Sequence, residues 1–354
     1  MKRVLVLGGT GVSGRAVVEE LRAAAPDADV AYSGRRPDGR LAVPYVHFDT
    51  AADRAANVRT LSAFDWVVMA VGPFERTRAS LHGLCVEAGV NCVDINDSID
   101  ARRDIVALAG RARQAGVTML TGCGLCPGLS TLLLAGAAGA GWALPAVAVR
   151  STLLIGAKQE PGTASLQSMF ETLGSPYRVL RGGRETRRPA AVERGSAGGP
   201  PYLVGYECPD LDIVAGLFPG LLDYDYRVCF AQLDADRVEA LARARWLRRP
   251  WAARRLARLA ARVGARRVAK TGAVPDNAVL TVEAADDQGR TVRLTATGRS
   301  SYGLTAAMAV AVYTAATTGV LEPGPGVFEV RDLAAVHPWL RDALSRRGVV
   351  LAAA

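Results

Sequence analysis

Lysine is nearly absent from this chain of 354 residues, although the formal charge is +9. The lysines are Lys2, Lys158 and Lys270, so almost all of the positive charge comes from arginine. No nucleic-acid recognition module accompanies that charge. The sequence therefore predicts no nucleic-acid partner.

Long apolar runs are also lacking. The first apolar run, at residues 4–7, is followed at once by glycines, so it indicates a core strand and not a signal peptide. The Ala/Gly-rich stretch 129–149 contains several glycines and Pro145, and its pattern is typical of a buried helix followed by a strand. We expect a cytoplasmic protein.

Cysteine is sparse, and the six cysteines do not show the spacing of a disulfide scaffold. Cys123 and Cys126 form a C-x-x-C pair, but the sequence has no second pair and no C-x-x-C…H-x-H pattern. No metal site is predicted. A loop that opens a helix is the favoured interpretation of this pair, with a redox role as the alternative.

What the chain does have is a glycine-rich turn directly behind its first strand. Gly9, Gly11 and Gly14 fit the G-x-G-x-x-G pattern between an apolar strand and a segment of helical spacing. In that pattern Gly9 permits the turn, Gly11 lets a pyrophosphate approach the backbone, and Gly14 lets the helix pack on the strand. A Gly-rich turn without a ligand is the alternative. The predicted phosphate-binding residues are Gly8, Gly9, Thr10, Gly11, Val12, Ser13 and Gly14.

The end of the second predicted strand distinguishes the two nicotinamide cofactors. An acidic residue there would bind the adenosine ribose of NAD, but this chain has Ser33, followed by Arg35 and Arg36. Guanidinium groups pair well with phosphate, which favours the 2′-phosphate of NADP. The alternative is two solvated surface arginines. Asp49, after the next strand, is predicted to face the adenine ring.

Strands and helices alternate as far as about residue 128, which predicts a doubly wound parallel sheet of the Rossmann type. From about residue 145 the pattern changes to strands typical of a mixed or antiparallel sheet, including a hairpin at 177–187 with Gly182 and Gly183 at its turn. We therefore predict an α/β fold with an inserted α+β domain. The NADP-binding domain takes residues 1–128 and is completed by 300–354, and a substrate-binding and dimerisation domain takes 129–299.

A strongly basic stretch at 241–267 carries apolar residues at roughly helical spacing. A basic amphipathic helix can lie on an anionic membrane surface or contact a carrier protein. The alternative is a solvated flank whose apolar stripe packs against its own domain or a partner subunit. The members of the stripe are Trp246, Leu247, Trp251, Leu256, Leu259 and Val263.

Motifs along nearly the whole chain resemble the saccharopine dehydrogenase-like oxidoreductases. The more specific match is Val71-Gly72-Pro73-Phe74, and the glycine-rich opening supports it. Further matches are Cys85, Gly89, Val93-Asp94-Ile95, the segment 124–130 and Gly326-Val327-Phe328-Glu329.

The resemblance implies hydride transfer with a nicotinamide cofactor, a small-molecule substrate and a homodimer. It also implies that Val71, Gly72, Pro73 and Phe74 lie by the nicotinamide. The chain departs from the saccharopine-forming members at Gly122 and Cys126, where those carry acidic residues. The family also includes trans-acting enoyl reductases with a similar glycine-rich opening.

The bond that is reduced remains open at this point. The leading hypothesis is an NADPH-dependent reductase of a C=N bond, and the alternatives are an enoyl reductase acting on a carrier-bound or lipid-like substrate, and a redox sensor without catalysis. No lysine stands four residues after a tyrosine, which disfavours a short-chain dehydrogenase. The predicted catalytic residues are Asp94, Cys126 and Tyr302, and further polar candidates at the same edge of the sheet are Asn96, Asp97 and Cys123.

Overall fold

The computed structural model describes residues 1–139, 145–156, 159, 162–195, 199–267 and 276–353, with the backbone alone for 262–267. The predicted apolar side chain of Val263 thus lies outside the described residues, as does the centre of the stretch 129–149. The chain forms two compact units. The first comprises Met1–Leu129 and Tyr302–Arg347, and the second comprises Ser130–Ser301 and Gly348–Ala354.

The described strands are β1 (Arg3–Leu7), β2 (Asp29–Gly34), β3 (Tyr45–His47), β4 (Trp66–Met69), β5 (Asn91–Asp94), β6 (Thr118–Thr121), β7 (Ala148–Ile155), β8 (Tyr177–Arg181), β9 (Arg184–Arg188), β10 (Val192–Arg194), β11 (Tyr202–Gly205), β12 (Asp223–Phe230), β13 (Ala278–Ala285), β14 (Thr291–Gly298), β15 (Gly326–Glu329) and β16 (Val350–Ala353).

The described α-helices are α1 (Val12–Ala24), α2 (Arg54–Leu61), α3 (Phe74–Thr77), α4 (Ser80–Ala88), α5 (Ile99–Val106), α6 (Ala109–Ala115), α7 (Leu129–Ala138), α8 (Thr163–Thr172), α9 (Leu211–Leu217), α10 (Ala235–Arg243), α11 (Pro250–Arg267), α12 (Ser301–Thr317) and α13 (His337–Arg346). Short 3-10 helices cover Arg245–Arg248 and Val330–Val336.

The first unit is built on a seven-stranded sheet in the order β15-β6-β5-β4-β1-β2-β3, and its described strands pair in parallel. Because helices cover both faces of such a sheet, its central strands are apolar throughout. Every residue of β4 is buried, and so is β1 from Val4 onward. The strand order is that of dinucleotide-binding folds, with β15 added at one edge. The Rossmann prediction is confirmed.

The second unit contains a mixed sheet in the order β10-β11-β12-β7-β13-β14-β16. Strands β7 and β12 run parallel, and the other described pairs are antiparallel. Strands β8 and β9 form the predicted hairpin, with positive φ at Gly182 and Gly183, and they join the sheet where Leu180 pairs with Tyr224. The α+β character predicted for this part is thereby confirmed.

The end of the chain differs from the predicted assignment of 300–354 to the first domain. Strand β16 pairs with β14, from Thr297 opposite Val350 to Leu294 opposite Ala353. The backbone hydrogen bonds of these last residues are therefore made within the second sheet, and residues after Arg347 group with the second unit.

Candidate active site

The glycine-rich turn brings α1 into direct contact with the end of β1. Gly8 has φ of +80°, in the left-handed region, and its carbonyl accepts a hydrogen bond from the Gly11 N–H at 2.9 Å. A Cβ on Gly14 would stand 2.1 Å from the Gly8 oxygen, and one on Gly9 would stand 2.6 Å from the Cβ of Tyr32. The glycine whose backbone conformation permits the turn is therefore Gly8, whereas the sequence pattern assigned this role to Gly9. Gly9 and Gly14 are required by close packing.

The first turn of α1 is built to receive an anion. Gly11 is the N-cap, no side chain caps the helix, and no acidic residue occupies its first turn. The N–H groups at the start of the helix, around Val12 and Ser13, point out of the helix with a partial positive charge. Arg15 lies beside them, with its Nη1 donating to the carbonyl of Thr10 at 3.1 Å. These features fit the pyrophosphate of a dinucleotide.

The residues predicted to bind the cofactor at the end of β2 point in different directions. The Ser33 hydroxyl is buried and donates to the Val6 carbonyl at 3.4 Å, so it points into the unit. Arg35 and Arg36 are exposed, and neither forms an ion pair within the described residues. Two guanidinium groups at this position fit a phosphate on the adenosine ribose.

An acidic side chain does occur in the loop after β2, at Asp38, but arginines engage it. Its carboxylate accepts hydrogen bonds from Arg40 and lies 3.6 Å from Nη1 of Arg15. The hydrogen bonds from Arg40, together with the charges of Arg40 and Arg15, lower the pKa of Asp38 to about 2. Its oxygens are therefore committed to arginine, and a ribose hydroxyl would have to compete for them.

Asp49 follows β3, which is the edge strand next to β2. Its side chain accepts from the Ala51 N–H at 3.0 Å, and its carbonyl accepts from the Asn57 side chain at 3.0 Å. These bonds shape the loop after β3. The predicted contact of Asp49 with adenine stays a prediction.

The loop after β4 holds the predicted nicotinamide-facing residues. Gly72 is exposed, with open space around a Cβ built on it, and Val71 and Pro73 are half-buried. The Phe74 ring is buried and packs with Ala101 and Ile105 of α5. Phe74 thus anchors the loop through its side chain and leaves the backbone of Gly72 accessible at the carboxyl end of β4.

Asp94, at the end of β5, gathers several loops at this edge of the sheet. One carboxylate oxygen, Oδ1, accepts from the N–H groups of Asn96 at 2.8 Å and Gly122 at 2.9 Å. The other, Oδ2, lies 2.8 Å from Nε2 of His82, and both side chains are 1% exposed. The backbone carbonyl of Asp94 accepts from the Cys123 N–H at 2.8 Å. These contacts favour a positioning role, and direct participation of Asp94 in catalysis stays a prediction.

His82 is a member of this site that the sequence reasoning missed. It lies on α4, where the neighbouring residues Leu81, Gly83, Leu84, Cys85 and Val86 are buried as well. Its Nδ1 has no hydrogen-bond partner. A single polar residue within that apolar run is the signal that could have identified it, since a buried imidazole needs a partner.

The loop after β6 closes tightly on itself. The Cβ of a residue replacing Gly128 would stand 2.3 Å from the Gly124 oxygen, and φ of Gly128 is +119°. Cys123 is fully buried, and its burial raises the pKa of its thiol well above the usual value. Cys126 is a free, half-buried thiol. Because burial favours the protonated thiol, Cys123 is a poor source of the thiolate that redox chemistry requires.

Asp97 stands out among the polar candidates because it combines access to solvent with a perturbed pKa. Its neighbours Asn96 and Ser98 are buried and bonded to each other, with the Ser98 N–H donating to the Asn96 side chain at 3.0 Å. Asp97 itself keeps part of its surface open to solvent, although protein surrounds its carboxyl group. Desolvation by the surrounding protein, followed by the charge of Glu75, raises the pKa of Asp97 to about 7. A carboxyl group with that pKa can hold a proton at neutral pH.

Tyr302 is half-buried in the first turn of α12 and belongs to the first unit. The site thus joins, within one unit, the glycine turn, the loop after β4, the loop after β5 and the loop after β6 at the carboxyl ends of neighbouring strands. Among the described residues no group of three or more His, Cys, Asp or Glu side chains is placed to hold a metal ion.

Comparison with solved structures shows the fold. The chain is similar to the apo, histidine-tagged saccharopine dehydrogenase (L-Glu forming) from Saccharomyces cerevisiae, with a TM-score of 0.71 and 14% identity over 100% of this chain and 99% of the yeast chain. An engineered D-amino acid dehydrogenase bound to NADP+ has a TM-score of 0.49 and 17% identity over 98% and 99% of the two chains. No protein-family model matches the chain, and no curated protein does. The saccharopine dehydrogenase-like fold expected from the sequence motifs is confirmed.

Proposed function

We propose that the protein is an NADPH-dependent oxidoreductase that transfers hydride to a C=N bond. The observation that carries the proposal is the uncapped start of α1, held against β1 by glycines that leave no room for side chains. NADPH would supply the hydride. The chain's own residues would bind its phosphates, orient its nicotinamide and provide a proton.

The choice of NADP over NAD is supported by charge. Arg35 and Arg36 carry two guanidinium groups without carboxylate partners in the described part of the chain, whereas Asp38 is engaged by Arg40 and Arg15. A 2′-phosphate would supply the missing anion. An NAD-specific site would instead present a free carboxylate to the ribose.

The proton requirement supports the choice of Asp97. In reduction of an imine, a proton bonds to nitrogen, hydride bonds to carbon, and the product is an amine. Asp97 would give its proton to the imine nitrogen, become a carboxylate, and take a new proton from water. Its pKa of about 7 matches this cycle at neutral pH.

The C=N bond is supported by the fold shared with the yeast saccharopine dehydrogenase. Saccharopine itself is not proposed as the substrate, because the resemblance aligns Gly122 and Cys126 with acidic residues of the saccharopine-forming members. The proposal therefore names an imine formed from an amine and an oxo acid. The homodimer expected from the resemblance belongs to the same proposal. Its test is the molar mass from light scattering as the protein elutes from a size-exclusion column.

The test is a fluorescence titration with NADPH and NADH, followed by turnover assays with amine and oxo-acid pairs and with enoyl thioesters. Tighter binding of NADPH, with its oxidation by one amine and oxo-acid pair, is the expected result. Oxidation by an enoyl thioester alone would show that the reduced bond is C=C. Binding without turnover across both panels would favour the redox sensor, and failure to bind either nucleotide would overturn the proposal.

A further inference from the structure

The helical segment 245–259 exposes large apolar side chains that do not pack in the core of the second unit. Trp246 is 57% exposed, Trp251 is 64% exposed and Leu259 is 58% exposed. Exposed arginines accompany them along the same segment. We call this surface the arginine–tryptophan face, and its members are Arg245, Trp246, Arg249, Trp251, Arg254, Arg255, Arg258 and Leu259.

The side of α11 that packs on the second unit is a different one. Ala252, Ala253 and Ala257 are buried, and the last two form a cluster with Met169 and Phe170 of α8. At about 100° per residue, Trp251 lies on the opposite side of the helix from these alanines. The apolar stripe expected from the sequence is thus divided, with Leu247 buried, Leu256 half-buried, and Trp246, Trp251 and Leu259 exposed to solvent.

The charge of the face is positive and uncompensated. Arg243 pairs with Glu239, and Arg248 donates to the Gly174 carbonyl at 2.6 Å, so both belong to the fold. By contrast, the five arginines of the face make no ion pair with any described carboxylate. An anionic partner would therefore gain contacts without displacing existing ones.

We propose that the arginine–tryptophan face binds the surface of a membrane containing anionic lipids. Indole rings prefer the boundary between headgroups and acyl chains, and arginine beside them pairs with lipid phosphates. A purely acidic protein partner would use the arginines, but it would give two widely exposed tryptophans and Leu259 no apolar phase to enter. No helix in the described part of the chain is long and apolar enough to cross a bilayer, so this contact would be made at the surface.

The experiment is co-sedimentation of the full chain with sucrose-loaded vesicles, either phosphatidylcholine alone or phosphatidylcholine with 30% phosphatidylglycerol. We expect binding to the anionic vesicles only, weakened by raising the salt concentration. Trp246→Ala with Trp251→Ala, and separately Arg254→Glu with Arg258→Glu, should each reduce binding at least tenfold. These exposed positions lie in the second unit, outside the dinucleotide site, so an unchanged circular dichroism spectrum and melting temperature of the full chain report that the variants fold.

Arg22→Glu with Arg59→Glu is the matched control, because it makes the same charge change at exposed arginines of α1 and α2. The proposal is overturned if the control loses as much binding as the face variants, or if neutral vesicles bind equally well. It is overturned likewise if vesicles do not bind while an acidic acyl-carrier protein does, or if the tryptophan substitutions instead convert a dimer to a monomer in light scattering. Vesicle binding does not depend on turnover, so its failure is separate from failure of the proposed reaction.

Discussion

The glycine turn and the surroundings of Asp94 are two parts of one sheet edge that are built in different ways. At the turn, the determinants are backbone groups, and the sequence reveals them because only glycine fits at Gly8, Gly9 and Gly14. Around Asp94, the determinant is one carboxylate that accepts hydrogen bonds from two backbone N–H groups and meets a histidine from a separate helix. The geometry of the turn therefore depends on glycines that have no side chain, whereas the geometry around Asp94 depends on hydrogen bonds made by side chains.

The turn should therefore be broken by any added side chain at its tightest point. Gly14→Val would force a Cβ to within 2.1 Å of the Gly8 oxygen, so α1 must move away from β1 and the phosphate site is lost. We expect no measurable NADPH binding in a fluorescence titration. Gly110→Ala, in open space on α6, is the matched control and should bind as the natural chain does. Normal NADPH binding by Gly14→Val would refute the close-packing argument.

In the Asp94 region, we expect substitutions to reduce turnover and not NADPH binding. Asp97→Asn, in the loop that Asp94 helps to shape, should lower kcat/KM for reduction about 100-fold, the lower range for loss of a general acid. NADPH affinity should stay within threefold. Asp27→Asn removes an exposed carboxylate elsewhere and should change neither quantity.

Asp97→Asn also tests the expected pH dependence of kcat/KM. Asp97 is protonated below its pKa of about 7, so kcat/KM should be level on the acid side and fall as the pH rises through 7. Asp97→Asn should lack that fall, because an amide does not titrate. A decline of equal size in both proteins would assign the proton to another group.

The arginines after β2 belong to the cofactor-binding region around the glycine turn. They should affect only the discrimination between NADPH and NADH. Arg35→Ala with Arg36→Ala removes the two cations expected at the 2′-phosphate, so NADPH should bind about 30-fold more weakly, near 2 kcal/mol. The affinity for NADH, which lacks that phosphate, should be unchanged. Equal losses for both nucleotides would sink the assignment of these arginines.

The sequence identified the first region almost completely and the second only in part. Glycine spacing and strand–helix alternation predicted the parallel sheet and the turn because local sterics fix them. The direction of a side chain is not local, however, and Ser33 turns inward to the Val6 carbonyl although its position suggested the cofactor. His82 was missed for a related reason, since its partner Asp94 is 12 residues away and meets it only after the sheet forms. Likewise, only the finished sheet shows that residues 350–353 pair with β14 as an added edge strand.

The smallest expected effect tests whether Asp94 positions the edge through His82. Because Oδ1 of Asp94 accepts two backbone hydrogen bonds and Oδ2 faces His82, the proton in that contact is assigned to Nε2 of the imidazole. In Asp94→Asn, the amide oxygen can keep the backbone bonds while its N–H₂ faces Nε2. The imidazole proton should then move to Nδ1, which has no partner to oppose the change.

Nitrogen-15 spectra of labelled histidine resolve this tautomer change, because the chain has only three histidines. His82→Gln identifies the signal, and the resonances of His47 and His337 serve as internal controls. Together with the new tautomer we expect a loss of about threefold in kcat, with NADPH affinity and the melting temperature nearly unchanged, since the hydrogen bonds are kept in number. An unchanged tautomer would separate His82 from Asp94, and a large loss of NADPH binding would mean that the two regions are one cooperative structure.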